Sequence, residues 1–500
     1  MAPPAAFADP ARAARLRAAF PAIDRLVRDF VQRSAVPGAA WGMIIDGDLA
    51  HVGVAGVRET STSAPVDTAT VFRIASMTKS FTAAAILQLR DAGRLSLDDP
   101  ASRHVPELQA LRPPTSDAPA VTIRHLLTHS GGFPEDNPWG DQQLSATDDE
   151  MAAMMRAGIP FSTVPGTAYE YSNFGFAILG RIVANVSGMP YARYVRERIL
   201  VPLGMTVTTL EARSVPAARL AHGYRRQDGQ WLEEARLPDG AFGAMGGMLT
   251  SAADLGRWVA FLLDAWPARD GDEGPVLSRA SRRELQQVWR YSGASVVAGR
   301  DGAVSLSAGG YGYGLGVRQT CRFAASVSHT GGLPGFGSLM RWLPEYGVGF
   351  VAMGNLTYTG WGSVAEQALE TLAATGALLP RQPQPAPVLV AMREEVSRLV
   401  AEWDDGVADR IAAMNLHRDE SRPRRRAAIE AIRRAAGDRC ANEGPFVVEN
   451  ALRGRWRMRC ANGDLRVSIT LAPTTPARVQ FLEVAPLGRE ASLAPPPACR

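Results

Sequence analysis

The sequence predicts an α+β protein with an antiparallel sheet flanked by helices, an all-helical subdomain and a separate small α+β domain at the C-terminal end. Three observations predict this class. Strand-like segments lie at both ends of a body of about 380 residues, helical patterns fill its middle, and a proline-rich segment separates it from a tail. The 500 residues, 46% hydrophobic and 21% charged, exclude a disordered or fibrous chain and indicate more than one domain.

The first elements are a helix and a hairpin. Residues 11–34 place apolar side chains at spacings of three and four, as in a helix with one buried face. Residues 39–45 and 49–57 flank the turn sequence DGD, which predicts two paired strands.

A strand-to-helix step and a long helical region come next. Residues 70–74 lead into a helix over 76–92, because Gly93 stands where helices commonly end. Residues 100–205 are mostly helical in pattern, and another helix is expected over 246–262.

The remaining segments return to strands and then reach the tail. In the body we expect strands at 313–318, 324–329, 338–343 and 347–354 and a helix at 361–375. In the tail we expect a helical region at 388–436 and strands at 446–450, 453–460, 465–471 and 477–484.

These elements predict three parts of the chain. The parts are a main body at 1–380 (sheet from about 20–75 and 210–375, helical subdomain about 80–205), a proline-rich linker at 381–387 and a C-terminal appendage at 388–500. The appendage either binds a partner or caps the body's active-site cleft.

Charge and hydropathy exclude several classes of partner. The net charge is +4, and the tail from Arg381 to Arg500 carries 20 arginines against 15 acidic residues, so the body is nearly neutral and offers no nucleic-acid footprint. The sequence contains no run of about 18 apolar residues, so no membrane-spanning helix is predicted. The first residues lack the apolar core of a secretory signal, so we expect a cytoplasmic protein. The oligomeric state is left open.

The four cysteines do not form a disulfide framework. Cys440 with Cys460 is the most plausible pair, but in a reducing compartment we expect free thiols.

Lys79 is the only lysine in the chain, since the other basic residues among the 54 are arginines. A buried amine can lose its proton and act as a base, whereas a guanidinium effectively cannot. Lys79 stands three residues after Ser76, and positions i and i+3 share one face of a helix. The serine can therefore be a nucleophile that the amine activates.

Two further segments carry groups that such chemistry needs. Tyr171 and Asn173 belong to the segment Y-S-N. A phenol with a pKa lowered by the lysine could pass protons, and the asparagine side chain could hold a substrate amide by both its donor and its acceptor. The segment His329-Thr330-Gly331-Gly332 ends a predicted strand, and its glycines allow a substrate backbone to approach the strand edge.

In this order, S-x-x-K, Y-S-N and H-T-G resemble the active-site elements of the penicillin-recognising serine hydrolases, which include class C β-lactamases, D-Ala-D-Ala carboxypeptidases, D-aminopeptidases and related esterases. The resemblance covers about residues 20–380 and implies a β-lactamase/transpeptidase-like fold.

The resemblance also implies residue roles. Ser76 would be the acylated nucleophile, Lys79 its base and Tyr171 the proton shuttle. Asn173 would contact the substrate carbonyl. Thr330 and Gly331 would line the strand edge that binds the substrate, with His329 beside them as a further substrate-binding residue. The backbone N–H groups of Ser76 and Gly332 would form the oxyanion hole. The histidine replaces the lysine of class C β-lactamases, which argues against dedicated penicillin resistance.

We therefore expect a cofactor-independent serine hydrolase that acts on small amides, short peptides or esters, with D-amino-acid peptides first. The alternatives are a carboxylesterase, a D-Ala-D-Ala carboxypeptidase, or a non-catalytic binding or scaffold protein of this fold.

Other polar residues carry weaker signals. His125 and His129 lack the glutamate of a zinc helix, because Leu126 follows His125, so no metal site is expected. Asp136 and Asp239 could bind a substrate amine, although turn residues are the favoured interpretation.

Overall fold

The computed structural model describes residues 2–298 and 304–494. Its strands are β1 Gly38–Ile45, β2 Asp48–Glu59, β3 Ala64–Pro65, β4 Phe72–Arg73, β5 Tyr224–Gln227, β6 Gln230–Glu233, β7 Leu249–Thr250, β8 Arg290–Ala298, β9 Val304–Tyr311, β10 Gly316–Thr320, β11 Ser326–Leu333, β12 Phe336–Leu343, β13 Val348–Gly354, β14 Ala441–Asn450, β15 Arg453–Arg459, β16 Asp464–Leu471 and β17 Val479–Leu487.

The helices include several short ones that connect longer segments. They are α1 Arg12–Arg17, α2 Phe20–Arg33, α3 Thr78–Asp91, α4 Ala101–His104, α5 Ile123–Leu127, α6 Asn137–Gly140, α7 Asp148–Ala157, α8 Asn173–Ser187, α9 Tyr191–Val195, α10 Gly243–Gly246, α11 Ala252–Leu263, α12 Arg279–Leu285, α13 Gly362–Ala374, α14 Pro387–Ala401, α15 Asp405–Ile411, α16 Leu416–Asp419 and α17 Arg422–Ala436. No helix within the described ranges has the length and apolar character needed to cross a membrane.

The main sheet is antiparallel, in the order β3-β2-β1-β13-β12-β11-β10-β9-β8. Helices cover both of its faces, and alternate residues of β1 show why. Trp41 and Met43 join an apolar cluster with α2 and α13, whereas Ala40 and Ile44 join a second cluster with α3 and α11. Residues 80–205, all of which are described, contain helices and turns without a strand. The predicted fold class is confirmed.

Several predicted elements differ from the structure. The helix expected from residue 246 begins at Ala252, because the side chain of Ser251 accepts the N–H of Asp254 and β7 pairs with β4 just before it. The helix expected over 11–34 is two helices, and the strand expected over 313–318 lies at Gly316–Thr320. The hairpin of β8 and β9 was not predicted.

The tail has its own four-stranded antiparallel sheet, in the order β14-β15-β16-β17. Its apolar cluster, which includes Leu389, Trp456 and Val467, is separate from the two clusters of the body. The linker is not a free extended segment, because Gln382 exchanges both backbone hydrogen bonds with Ala6. The proposed limits of the three parts stay predictions.

The prediction of free thiols is wrong for Cys440 and Cys460, whereas Cys499 lies outside the described residues. Because Ala441 pairs with Arg459, the adjacent residues Cys440 and Cys460 lie opposite each other, and they form a disulfide. Disulfides persist mainly in oxidising compartments, so the cysteines no longer support the cytoplasmic location, which stays a prediction.

Candidate active site

Ser76 lies in a single turn of 3₁₀ helix, Ala75–Met77, between β4 and the start of α3. Ala75 has a φ of +50°, a conformation that L residues rarely adopt and that often marks functional turns. The turn leaves Ser76 only 7% exposed, on the wall of a cleft of about 770 Å³. The serine hydroxyl therefore faces a space large enough for a small substrate.

Lys79 is the second residue of α3 and is fully buried, as are most residues of that helix. Its Nζ donates to Ser76 Oγ at 3.0 Å, to Asn173 Oδ1 at 2.6 Å and to the carbonyl of Met245 at 2.7 Å. Burial lowers the pKa of Lys79 from 10.5 to about 7, so the amine is half deprotonated near neutral pH.

This geometry aims the neutral amine at the serine. A neutral amine keeps two N–H groups and one lone pair. The oxygens of Asn173 and Met245 accept the two N–H groups, so the lone pair points to Ser76 Oγ. The predicted base and nucleophile therefore lie in hydrogen-bond contact with the orientation that proton transfer needs.

Tyr171 lies beside this pair, and its hydroxyl interacts with Ser76. Lys79 Nζ lies 4.8 Å from the centre of its ring. The expectation that the lysine lowers the pKa of Tyr171 is wrong: burial raises that pKa well above its ordinary value, and the carboxylates of Asp141 and Asp136 raise it further. Tyr171 is a neutral phenol that can donate and relay a proton.

Asn173 is fully buried and is not part of the cleft wall. Its carbonyl oxygen holds Lys79, and its Nδ2 donates to Asn137 Oδ1 at 3.0 Å. The amide oxygen and one amide N–H are thus engaged by protein groups, and Asn173 holds Lys79 in place. The implied contact with a substrate carbonyl stays a prediction.

Asp136 caps the helix that begins at Asn173. Its carboxylate accepts the N–H groups of Asn173 at 2.6 Å and of Phe174 at 2.8 Å. Asp239 accepts the N–H of Ala212 at 2.9 Å. The favoured structural interpretation of both aspartates therefore agrees with their contacts.

His329, in β11, is buried against the cleft and is neutral. Its Nδ1 lies 2.6 Å from the carbonyl of Thr330 and must carry the proton, so Nε2 accepts the hydroxyl of Tyr311 at 2.8 Å. Burial, reinforced by the charge of Lys79, lowers the pKa of His329 to about 3. It therefore does not supply the positive charge of the lysine that it replaces.

Glycine is required where β11 packs against the segment that precedes Ser76. A Cβ on Gly331 would lie 2.1 Å from the carbonyl of Ile74 and 2.3 Å from Ser338 Oγ, and a Cβ on Gly332 would lie 2.6 Å from the ring of Tyr358. In the described part of the chain, β10 pairs with this strand only over Ser326–Ser328, whereas β12 pairs with it as far as Leu333. The edge near Thr330 is therefore open to the cleft, as a bound substrate backbone would need.

The structure brings most of the predicted residues together. Ser76, Tyr171, His329, Thr330 and Gly332 line one cleft, with Lys79, Asn173 and Gly331 directly behind it. The sequence analysis missed further wall residues, which are Asn137, Asp141, Tyr169, Tyr311, Arg318, Arg341 and Tyr358. Tyr311 could have been found from its glycine-rich surroundings, but the others come from separate strands, short helices and loops that only the fold brings together.

The two histidines of the T-I-R-H-L-L-T-H segment have structural contacts. His125 Nδ1 accepts the N–H of Thr122 at 3.3 Å, and His129 Nδ1 accepts the N–H of Ser172 at 3.0 Å. Across the described residues there is no group of three or more potential metal ligands. No described residue of the tail lines the cleft.

Comparisons with known proteins agree with this site. The chain matches the protein family described as Beta-lactamase over residues 23–375. Protein flp from Staphylococcus aureus (strain COL) is 27% identical over 339 residues, which are 67% of this chain and 62% of that protein. The match thus spans less than two thirds of that relative. Penicillin-binding protein 4 from Amycolatopsis lactamdurans is 32% identical over 321 residues, 63% of this chain and 79% of that protein.

Among solved structures, an octameric penicillin-binding protein homologue from Pyrococcus abyssi shares the fold. It aligns with a TM-score of 0.59 at 22% identity, over 95% of this chain and 91% of that one. The sequence match contains Ser76, Lys79, Tyr171 and β11, which confirms the resemblance drawn from the motifs. The chain therefore belongs to the β-lactamase family of serine hydrolases.

Proposed function

We propose that this protein forms an acyl-enzyme on Ser76 and hydrolyses small amides, short peptides or esters without a cofactor. The observation that carries the proposal is the contact between Ser76 Oγ and a fully buried Lys79 whose other N–H groups are held by Asn173 and Met245. D-amino-acid peptides come first among the substrates, because the H-T-G motif is similar to that of carboxypeptidases and D-aminopeptidases.

The mechanism follows from which groups can accept and donate the transferred proton. Lys79 takes the proton of Ser76 Oγ as the oxygen attacks the substrate carbonyl. The backbone N–H groups of Ser76 and Gly332 stabilise the oxyanion. The proton then passes from Lys79 through the hydroxyl of Tyr171 to the leaving group, which breaks away and leaves an ester on Ser76. Water hydrolyses that ester by the same proton path in reverse.

The experiment is hydrolysis of p-nitrophenyl butyrate by the wild type and by Ser76→Ala. We expect turnover that disappears in the variant, whereas Ser116→Ala, which changes an exposed serine outside the cleft, keeps it. Equal rates in the wild type and in Ser76→Ala, or no turnover in either, would refute the acyl-enzyme and favour the non-catalytic binding protein.

A carboxypeptidase is a second candidate, which Arg318 favours. This exposed guanidinium lines the cleft and has no acidic residue within ion-pair distance among the described residues. It could bind the C-terminal carboxylate of a peptide. If it does, Arg318→Ala will raise KM for peptides with a free carboxylate but not for the matching C-terminal amides, and an equal effect on both would remove this candidate.

A further inference from the structure

Asp141 provides a carboxylate in the cleft that the mechanism does not use. It is only 3% exposed, lines the cleft and follows directly after α6. Its Oδ2 accepts the hydroxyl of Tyr358 at 2.8 Å. Among the described residues its carboxylate has no other hydrogen bond and no basic group within ion-pair distance. A buried carboxylate without a cation is costly, and a cationic ligand would offset that cost.

The position of Asp141 is fixed by close packing on the catalytic elements. A Cβ on Gly140 would lie 2.8 Å from Asn173 Cβ, and Asn137 hydrogen-bonds the same asparagine. The short helix α6 therefore lies against the residue that holds Lys79. It places the carboxylate of Asp141 in the wall of the cleft.

Tyr358 connects this carboxylate to the opposite side of the reaction centre. Its ring lies against Gly332, whose N–H is the proposed oxyanion donor, while its hydroxyl reaches Asp141. One tyrosine ring thus separates the carboxylate from Gly332. Because Asp141 and Ser76 line the same cleft, a substrate that acylates Ser76 can present an amino group to the carboxylate.

We propose that Asp141, oriented by Tyr358, binds the ammonium group of the substrate and selects substrates with a free amine on the carbon next to the scissile carbonyl. This inference rests on the proposed function and names its substrate class as aminoacyl amides and amino-terminal peptides. An α-amino group has a pKa of about 8 and is protonated at pH 7. The other two aspartates considered from the sequence, Asp136 and Asp239, already accept backbone N–H groups.

The pH dependence of the selection follows from the groups around Asp141. Burial is the main cause that raises the pKa of Asp141 to about 6; the acidic neighbours Asp136 and Glu135 contribute to the rise, and Tyr358 and Lys79 oppose it. Below that pH the carboxyl group is neutral and cannot pair with an ammonium. The preference for a free amine should therefore weaken as the pH falls through about 6.

The test compares ligands that differ only in the amine. Calorimetric titration with D-alaninamide and with N-acetyl-D-alaninamide gives the binding ratio, and kcat/KM for D-alanine p-nitroanilide and its N-acetyl derivative gives the kinetic ratio. We expect the wild type to favour the free amine at least tenfold, which corresponds to about 1.4 kcal/mol. Asp141→Asn should bring both ratios close to one, and Asp117→Asn, at an exposed aspartate outside the cleft, should preserve them.

Two outcomes would overturn the proposal. One is a wild type that does not prefer the free amine. The other is an Asp141→Asn variant that loses activity equally on both substrates, since Asp141 would then affect catalysis through the charge of Lys79 and not through the substrate amine. If Asp141→Asn does not fold, Tyr358→Phe is the second variant. Removing that hydroxyl should raise the pKa of Asp141 and so raise the pH at which the preference is lost, and an unchanged midpoint would contradict the pairing.

The binding ratio also separates this inference from the proposed function. If the protein binds the free amine selectively but never hydrolyses p-nitrophenyl butyrate, the ammonium subsite is supported and the hydrolase activity is refuted. If it hydrolyses the ester without any amine preference, the hydrolase activity is supported and the ammonium subsite is refuted.

Discussion

Replacing Lys79 with arginine keeps a positive charge behind Ser76 but removes the base. Burial lowers the pKa of Lys79 to about 7, so at pH 8 roughly nine in ten molecules carry the neutral amine. A guanidinium with a pKa above about 12 is protonated in essentially every molecule at that pH. A positioned base contributes roughly 10²- to 10⁴-fold to the rate, and Lys79→Arg should lose that factor.

The assay is pre-steady-state acylation by p-nitrophenyl butyrate from pH 5.5 to pH 9. In the wild type the acylation rate should rise with pH through about 7, because the lysine loses its proton there. Lys79→Arg should be slower by roughly two to four orders of magnitude at pH 8 and should lack this rise.

Lys79→Met controls for the size of the arginine side chain, since it keeps a long chain without charge. It should be as slow as Lys79→Arg if the missing base is the cause. Near-normal acylation in a folded Lys79→Arg protein would refute the proposal that the lysine is the base.

Three other predictions concern the groups around this pair. Asn173→Ala should lower kcat roughly 10- to 100-fold with little change in KM, because a hydrogen bond to the base is lost; a raised KM with unchanged kcat would instead place the amide on the substrate. The folded protein holds Lys79 at a pKa of about 7 and the unfolded chain at 10.5, so the unfolded state binds more protons between these values and stability rises with pH. Denaturant unfolding should show a gain of roughly 2 kcal/mol from pH 7 to pH 9 in the wild type and no such gain in Lys79→Met; equal pH dependence would contradict the lowered pKa. Gly331→Ala should destabilise the protein by about 1–3 kcal/mol and slow turnover, because its Cβ would overlap the carbonyl of Ile74. Gly362→Ala, with nothing within 4 Å of its Cβ, should unfold like the wild type, and identical melting of both variants would refute the steric argument.

Local patterns were sufficient to predict the contact between Ser76 and Lys79 and most strands of the main sheet. Ser76 and Lys79 are one helical turn apart, so their contact follows from helix geometry alone. The strands that pack between two layers of helices carry continuous or alternating apolar residues, as β1 and β13 do. The hairpin of β8 and β9 was missed because β8 is an edge strand with exposed side chains over Tyr291–Val296, which leaves no such pattern.

Properties that depend on burial and on distant contacts could not be predicted. The raised pKa of Tyr171 comes from desolvation, which one sequence does not reveal. The carbonyl of Met245 and the carboxylate of Asp141 reach the site from segments far from the motifs in sequence. The hydrogen bond that Asn173 makes with Asn137 could not be predicted for the same reason, since Asn137 belongs to the separate short helix α6.

The most direct test of the central claim is to identify the acylated residue. The protein is mixed with p-nitrophenyl butyrate, quenched in acid within the burst phase, digested and mapped by mass spectrometry. We predict one butyryl group on Ser76 and none in Ser76→Ala. A butyryl group on another residue, or release of p-nitrophenol with no covalent intermediate under any quench time, would contradict acyl-enzyme catalysis by this serine.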